Sequence, residues 1–396
     1  MTAGSVVEIE GVAVGGAGLG RWPDGRVVFV PGALPGERVV AVPAAEHGRH
    51  LEARLVSVTE VSPERRAEPC RHRRDGCGGC DWMHISVEGQ RRLKAELAAQ
   101  VLDRSVGAEG PAMRSRAVEP ATGYRTTVHL ATDDRGVPAY RAGSSHDLVA
   151  VDSCLVAHPA IAGLLDGARF PPGSDVTIRT SVATGEVLVV VDPVAPDLAL
   201  GDGIRVVGGD ELRSGRRAWL HESAAGRRWR ISARSFFQAS AAAADAISEE
   251  VVIALGTWEA PTRLLDLYAG VGVLGGSVGE GVDILAVESS PSSAADARIN
   301  LAHTGAKVLK TRVERFRPPP VELVVADPPR RGLGRRAVEV IGRAHGRRLA
   351  LVSCDLGALG RDAVLLRDSG WTCVDAVMVD AFPHTSHVEV VTAWER

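Results

Sequence analysis

From about residue 233 onward the chain alternates helix-patterned stretches with apolar runs of strand length: "SAAAADAISEEVVIAL", "RLLDLYAG", "VDILAVES", "AADARINLAHTG", "VELVVADPP", "RRLALVSC" and "MVDAFPHTSHVEVVTAW". Parallel strands need a long crossover, and crossover helices cover the sheet, so this order predicts a parallel sheet with helices on both faces. Ligands of such sheets bind beyond the carboxyl ends of the strands. The residues that close each run are therefore the first candidates for chemistry.

The first sixty residues follow a different rule. "VVEIEGVAV", "GRVVFVPG", "ERVVAVPA" and "HLEARLVSVTEV" are short alternating runs between Gly, Pro and Asp turns, the pattern of a small β-barrel. After Pro63 comes a cysteine-rich loop, then an amphipathic helix around "EGQRRLKAELAAQVLDR", with Leu93, Leu97 and Val101 on its apolar face and charge on the opposite one. Strand candidates such as "YRTTVHLAT", "DVTIRTSV" and "GEVLVVVD" mark a central mixed α/β segment. The expected division is 1–62, 63–232 and 233–396, and 396 residues suffice for several domains.

With 45% hydrophobic and 24% charged residues the chain has ordinary globular composition. Its start, "MTAGSVVEIEGVAVGG", lacks the basic and apolar regions of a signal peptide, and no run has the length and apolarity of a membrane span. The expected location is the cytoplasm, with no membrane association and no obligate protein partner. In a reducing compartment six cysteines do not make a disulfide framework, so their clustering points to metal binding or catalysis. A net charge of -3 does not mark a general nucleic-acid binder, and lysine occurs only at Lys94, Lys307 and Lys310. Arginine, however, gathers in "ERRAEPCRHRRDG", "RSGRRAWLHESAAGRRWRISAR" and "RRGLGRR", local basic surfaces of the kind that hold RNA.

Cys70, Cys77 and Cys80 form C-x6-C-x2-C in "CRHRRDGCGGC", with Cys154 as a distant fourth ligand. Thiolates hold both zinc and iron-sulfur clusters. Structural zinc sites of four cysteines usually show two short pairs; one pair with two solitary cysteines favours iron and sulfide. The C-x3-C-x2-C spacing of radical enzymes is absent, so the cluster reads as structural.

In the C-terminal part, "LLDLYAGVGVLGGSVG" runs from Asp266 into Gly270, Gly272 and Gly275, glycines that let a backbone turn tightly beside a nucleotide-like ligand. "ILAVESS" ends a second strand with Glu288, an acid suited to ribose hydroxyls, and the pair fits S-adenosylmethionine as well as a dinucleotide. "VVADPPRRGLG" puts Asp327 before two prolines that stiffen the loop. "LVSCDLGALGRD" ends a strand at Ser353 and Cys354, and Asp355 caps the helix that follows. The helix N-terminus lowers the Cys354 pKa while Asp355 opposes it, so the two effects compete. Cys373 reads as a packing residue. In "FPHTSHVEVV" two histidines and Glu389 stand on or beside the last strand, and a carboxylate there can accept a proton.

Taken in order, "SFFQAS", "DLYAGVGVLG", "DPPRRGLG", "SCDLGALGRD" and "FPHTSHVEVV" closely resemble the RNA uracil-5-methyltransferase family. The stretches "GGAGLGR" and "DGRVVFVPGALPGERV" resemble a TRAM domain, an OB-like RNA-binding barrel. With the cysteine motif, the resemblance covers nearly the whole chain and points to the iron-sulfur 23S rRNA subgroup. It implies a C-terminal Rossmann-like class I methyltransferase domain, S-adenosylmethionine as methyl donor, a 4Fe-4S cluster on Cys70, Cys77, Cys80 and Cys154, and RNA as partner. Cys354 matches the family nucleophile that adds to carbon 6 of uracil, and Glu389 the base that takes the carbon 5 proton. Gln238, Tyr268, Glu288 and Asp327 fall at family positions for the cofactor, and the target base is flipped out to reach the thiol.

The chain departs from the family pattern in three places. Val273 stands where an asparagine is expected, and Asp355-Leu356 replaces Asn-Pro after Cys354. These departures leave open a catalytically silent RNA-binding assembly factor. Asp327-Pro328-Pro329 also resembles the loop of exocyclic-amine methyltransferases, with Arg330 in place of the final tyrosine. Transfer RNA remains an alternative to 23S rRNA.

Overall fold

The computed structural model describes residues 4–396 apart from 108–109, 144, 146, 196–197, 199, 260–261 and 280. Strands β1 (Ser5–Val12), β2 (Gly18–Arg21), β3 (Val27–Val30), β4 (Arg38–Glu46) and β5 (His50–Glu60) close a barrel in the order β1-β2-β3-β5-β4. Alternation builds it: Val7, Ile9, Val28, Val30, Val39, Ala41, Leu51 and Ala53 all point into one core, while the residues between them face out.

The cysteine loop carries the single turn α1 (Arg71–Arg74) and leads into α2 (Val87–Val106) and β6 (Met113–Ala117). The central segment follows with β7 (Thr127–Thr132), β8 (Pro138–Arg141), β9 (Leu148–Ala150), α3 (Pro159–Leu165), β10 (Asp175–Thr180), β11 (Val187–Asp192), β12 (Ile204–Gly208) and α4 (Gly209–Arg213). Its six-stranded sheet runs β12-β11-β10-β7-β8-β9. A hairpin, β13 (Trp219–Ala224) and β14 (Arg227–Ser232), leads to the C-terminal part.

There α5 (Ala241–Leu255), β15 (Thr262–Leu267), α6 (Val273–Ser277), β16 (Val282–Glu288), α7 (Pro291–Asn300), β17 (Lys307–Lys310), β18 (Leu323–Ala326), α8 (Gly334–Arg343), β19 (Arg348–Ser353), α9 (Leu356–Asp368), β20 (Thr372–Asp380) and β21 (Glu389–Glu395) succeed one another. The sheet is ordered β17-β16-β15-β18-β19-β21-β20-β6. Its apolar runs are unbroken because both faces are covered. Along β19, Ala350 and Val352 belong to the core under α5, while Leu349 and Leu351 belong to the one under α8 and α9.

Two features differ from the sequence expectation. The sheet is mixed rather than parallel, because β21 inserts antiparallel between β19 and β20. The run "MVDAFPHTSHVEVVTAW" is two strands with a connection, and a hairpin-like return needs no helix. The second difference is β6, which lies in the central stretch of sequence yet pairs in parallel with β20 at the sheet's edge. Helix α2 likewise packs on the C-terminal part: Leu93, Leu97 and Ala98 share a core with Leu356, Leu359, Met378, Val388 and Val390. Gly360 permits that close approach, since a Cβ there would meet Val101 at 3.1 Å and Ser105 at 3.2 Å. Among the described residues no helix is long and apolar enough to cross a membrane.

Candidate active site at the carboxyl edge of the large sheet

Tyr268 follows β15, Glu288 ends β16, Asp327 follows β18 and Cys354 follows β19, so all four stand at the edge where ligands of such sheets bind. Glu389 joins them because β21 is antiparallel and begins where its neighbours end. Ser353 pairs with Val390, which sets Cys354 and Glu389 opposite one another one step beyond the ladder.

Glu389 is 4% exposed, and among the described residues its Oε2 has no hydrogen-bond partner. Burial and the nearby Asp327 carboxylate hold its pKa well above the usual range, with Arg330 pulling the other way. Asp327 is raised as well, by burial. Burial pushes the Cys354 thiol up to about 12, and the Glu389 and Asp327 carboxylates add to that effect while Arg330 opposes it. Helix α9 therefore does not make Cys354 a resting thiolate. Nor is Asp355 the opposing charge that the sequence suggested: its side chain turns back to cap α9, accepting the Ala358 N–H at 2.7 Å.

Gln238, in the loop before α5, donates Nε2 to Asp327 Oδ2 at 3.4 Å, while its buried Oε1 has no partner among the described residues. Unpaired buried acceptors are rare and mark places where a ligand's donor fits. Glu288 ties two elements together: Oε2 accepts the Gly270 N–H at 2.9 Å and Oε1 the Ser290 N–H at 2.6 Å. Tyr268 has a φ of 61° and lines a cavity of about 250 Å³ with Ser289, Thr311, Arg312, Glu314 and Arg331.

The glycines of this loop serve different ends. Gly270 and Gly272 have φ of 56° and 97°, the left-handed region that glycine enters freely. Gly275 is required by packing, since a Cβ would lie 2.5 Å from Asp266 Oδ2, which accepts the Gly275 N–H at 3.1 Å. Burial lifts the Asp266 carboxyl to about 8. Val273 is buried in the core at the start of α6.

Cys70, Cys77, Cys80 and Cys154 line one cavity of about 50 Å³ with Met83, Tyr124, Tyr140 and Thr385. No three His, Cys, Asp or Glu side chains gather as a metal-ion site among the described residues. Burial raises the Cys77 and Cys80 pKa values, and the neighbouring thiols add to it. Cys373 is a core residue.

Sequence reasoning passed over Arg330 as a mere departure, yet its charge opposes the upward shifts of both Cys354 and Glu389, and its Nη2 lies 3.4 Å from His387 Nε2. It also missed a cleft of about 450 Å³ running from Gln238 past Arg125, Arg179, Arg234 and Phe382. Phe236, 62% exposed, stands on this cleft. The clue was the adjacent pair in "SFFQAS", of which only Phe237 is buried.

Residues 6–42 match the TRAM domain. An uncharacterized RNA methyltransferase of Streptomyces avermitilis is 34% identical to this chain, over 98% of it and 97% of its own length. The 23S rRNA (uracil(1939)-C(5))-methyltransferase RlmD of Halomonas elongata is 32% identical, over 98% of this chain and 89% of its own. Among solved structures, the tRNA (uracil-54, C5)-methyltransferase of Pyrococcus abyssi in complex with S-adenosyl-L-homocysteine has a TM-score of 0.74 at 21% identity, covering 98% of this chain and 99% of its own. That likeness shows a common fold from barrel to C-terminal sheet. With relatives of 34% and 32% identity aligned over 98% of its length, the chain belongs to the RNA uracil-5-methyltransferase family.

Proposed function

We propose that the chain methylates carbon 5 of a uridine in RNA, with 23S rRNA the favoured substrate because the RlmD relatives act there. The observation that carries this reading is the placement of Cys354 and the buried Glu389 one step beyond the Ser353–Val390 pair, at the end of β19 and the start of β21. Carbon 5 of uracil is a poor nucleophile. Once the Cys354 thiol has given its proton to solvent, the thiolate adds to carbon 6 and the C5–C6 electron pair shifts, leaving carbon 5 enolate-like. S-adenosylmethionine, when bound, supplies the methyl group that carbon 5 takes. Glu389 then accepts the carbon 5 proton, the electron pair restores the ring double bond, and the sulfur leaves carbon 6. Arg330 favours the thiolate that begins and ends this sequence. Glu288, the glycine turn and Tyr268 fit the nucleoside part of the donor, and Gln238 with Asp327 fits the polar groups near the transferred methyl or the base.

The chain is read as three working parts, 1–62, 63–232 and 233–396, acting in the cytoplasm. The barrel and the arginine-lined cleft hold RNA through phosphate contacts and stacking. Cys70, Cys77, Cys80 and Cys154 fit a 4Fe-4S cluster, which would cross-link the loop to the central sheet and has no part in methyl transfer.

The test is a 5-fluorouridine-substituted transcript, which traps the carbon 6 adduct because fluorine replaces the proton to be removed. Cys354→Ala is expected to abolish both the adduct and methyl transfer while still binding S-adenosyl-L-homocysteine. Undiminished turnover in that variant would remove Cys354 from the mechanism.

A further inference from the structure

Residues 381–388, "AFPHTSHV", connect β20 to β21 and end at Glu389. Glu389 pairs with Val379 of β20, but the β19 ladder stops at Val390. The aim of its side chain therefore depends on what holds the segment before it. No sheet does so. Ala381, Pro383, His384, Thr385 and Val388 are buried, so the backbone groups of this stretch need protein partners.

The partners come from the N-terminal half. Gln90, 0% exposed on α2, accepts the His384 N–H through Oε1 at 2.6 Å. Its Nε2 donates to the carbonyls of Trp82 at 3.1 Å and Ile85 at 2.9 Å, fixing the amide. Trp82 N–H donates to the His384 carbonyl at 3.0 Å. Tyr124 Oη donates to the Pro383 carbonyl at 3.1 Å, and Ser386 N–H donates to Asp81 Oδ1 at 2.9 Å. Lys94 Nζ donates to Asp380 Oδ1 at 2.7 Å and to the Phe382 carbonyl at 2.9 Å. His384 has a φ of 70°, in the left-handed region that non-glycine residues enter at a cost, which these bonds offset.

We propose that Gln90 and Tyr124 are positioning residues for Glu389: by clamping His384 and Pro383 they hold segment 381–388 so that the carboxyl meets the proton on carbon 5. This rests on the reading of Glu389 as the base. Cys354 follows a different strand and receives none of these bonds. Sulfur addition to carbon 6 and methyl transfer to carbon 5 precede the step the clamp serves. In that last step the C5–H bond gives its proton to Glu389, its electron pair forms the C5–C6 double bond, and the S–C6 bond breaks to return the thiolate. Loss of the clamp should therefore stall the enzyme after methyl transfer, with RNA still attached.

The experiment compares Gln90→Met, Tyr124→Phe and Glu389→Gln in the full chain, using whichever 23S rRNA or tRNA transcript the unaltered enzyme methylates, plain and 5-fluorouridine-substituted. Gln90→Met and Tyr124→Phe should form the fluorinated adduct at the unaltered rate, because that trap needs no base. On plain RNA, Gln90→Met should release product about 10- to 100-fold more slowly, Tyr124→Phe less so, with a covalent protein–RNA species accumulating as in Glu389→Gln. A parallel fall in adduct formation and release would show a merely structural role and overturn the proposal. Ordinary release by both variants, with Glu389→Gln stalled, would also overturn it. Ordinary release by Glu389→Gln would instead overturn the base assignment. If Gln90→Met does not fold, Tyr124→Phe decides by the same criteria.

Discussion

Glu288 Oε2 accepts the Gly270 N–H at 2.9 Å, so the end of one strand holds the glycine turn that follows its neighbour. The same carboxylate meets the first turn of α7 through Ser290. A hydrogen bond to a charged group contributes about 1.5–3 kcal/mol, a factor of about 10 to 100 in binding. Glu288→Ala is expected to weaken S-adenosyl-L-homocysteine by that factor in calorimetry, and Glu288→Gln by less, while RNA affinity stays unchanged. Equal loss of both ligands would contradict the assignment.

The pH dependence of product release, and through it of kcat, follows from the raised acids at the strand ends. Glu389 must be unprotonated to take a proton, and burial with Asp327 holds its pKa high. Activity should therefore rise with pH, with a midpoint above the ordinary carboxylate range. Asp327→Asn removes one of the charges that raises both Glu389 and Cys354, so the limb should move to lower pH even as its height falls. A rate profile that keeps its midpoint would remove Asp327 from this role.

Asp266 gives a stability signature of its own. Its folded-state pKa is raised to about 8 from 3.8. Folding thus favours the protonated form, and stability is lost as pH rises from the ordinary carboxylate range through about 8. Asp266→Asn keeps an oxygen for the Gly275 N–H and removes the charge. Denaturant midpoints should show the variant more stable than the parent at pH 9, with the difference closing near pH 4.

For the cysteine cavity, anaerobic purification should give a brown protein with iron and acid-labile sulfide in equal amounts. Cys80→Ser, or chelation of iron, should bleach it and lower Tm. A colourless protein carrying zinc would reject the cluster.

The barrel and the alternating C-terminal half were legible because their patterns are local: period two in one, strand, glycine turn and helix in the other. The strand-end acids were legible for the same reason. β6 was not, because "MRSRA" alternates weakly, and its arginines are matched by Glu249, Glu250 and Asp375, far along the chain. Helix α2 misled in another way. Its polar positions read as a solvated face, yet Gln90 and Lys94 are fully buried, and the Lys94 partner, Asp380, lies 286 residues away. A buried ion pair leaves no periodic trace. The thiol's raised pKa was equally hidden, since it comes from burial and from carboxylates on other strands rather than from adjacent Asp355.

The edge position of β6 bears on how such a molecule can be dissected. It covers the outer rim of β20 and brings Arg114 and Arg116 to Glu250, which is 5% exposed. A fragment cut at residue 233 would bare an apolar rim able to recruit strands from other molecules, and would leave Glu250 without its counter-ions. Grafting a foreign recognition half onto this catalytic half is then a problem of tailoring that seam, and a chimera that ignores it should precipitate before its chemistry can be assayed.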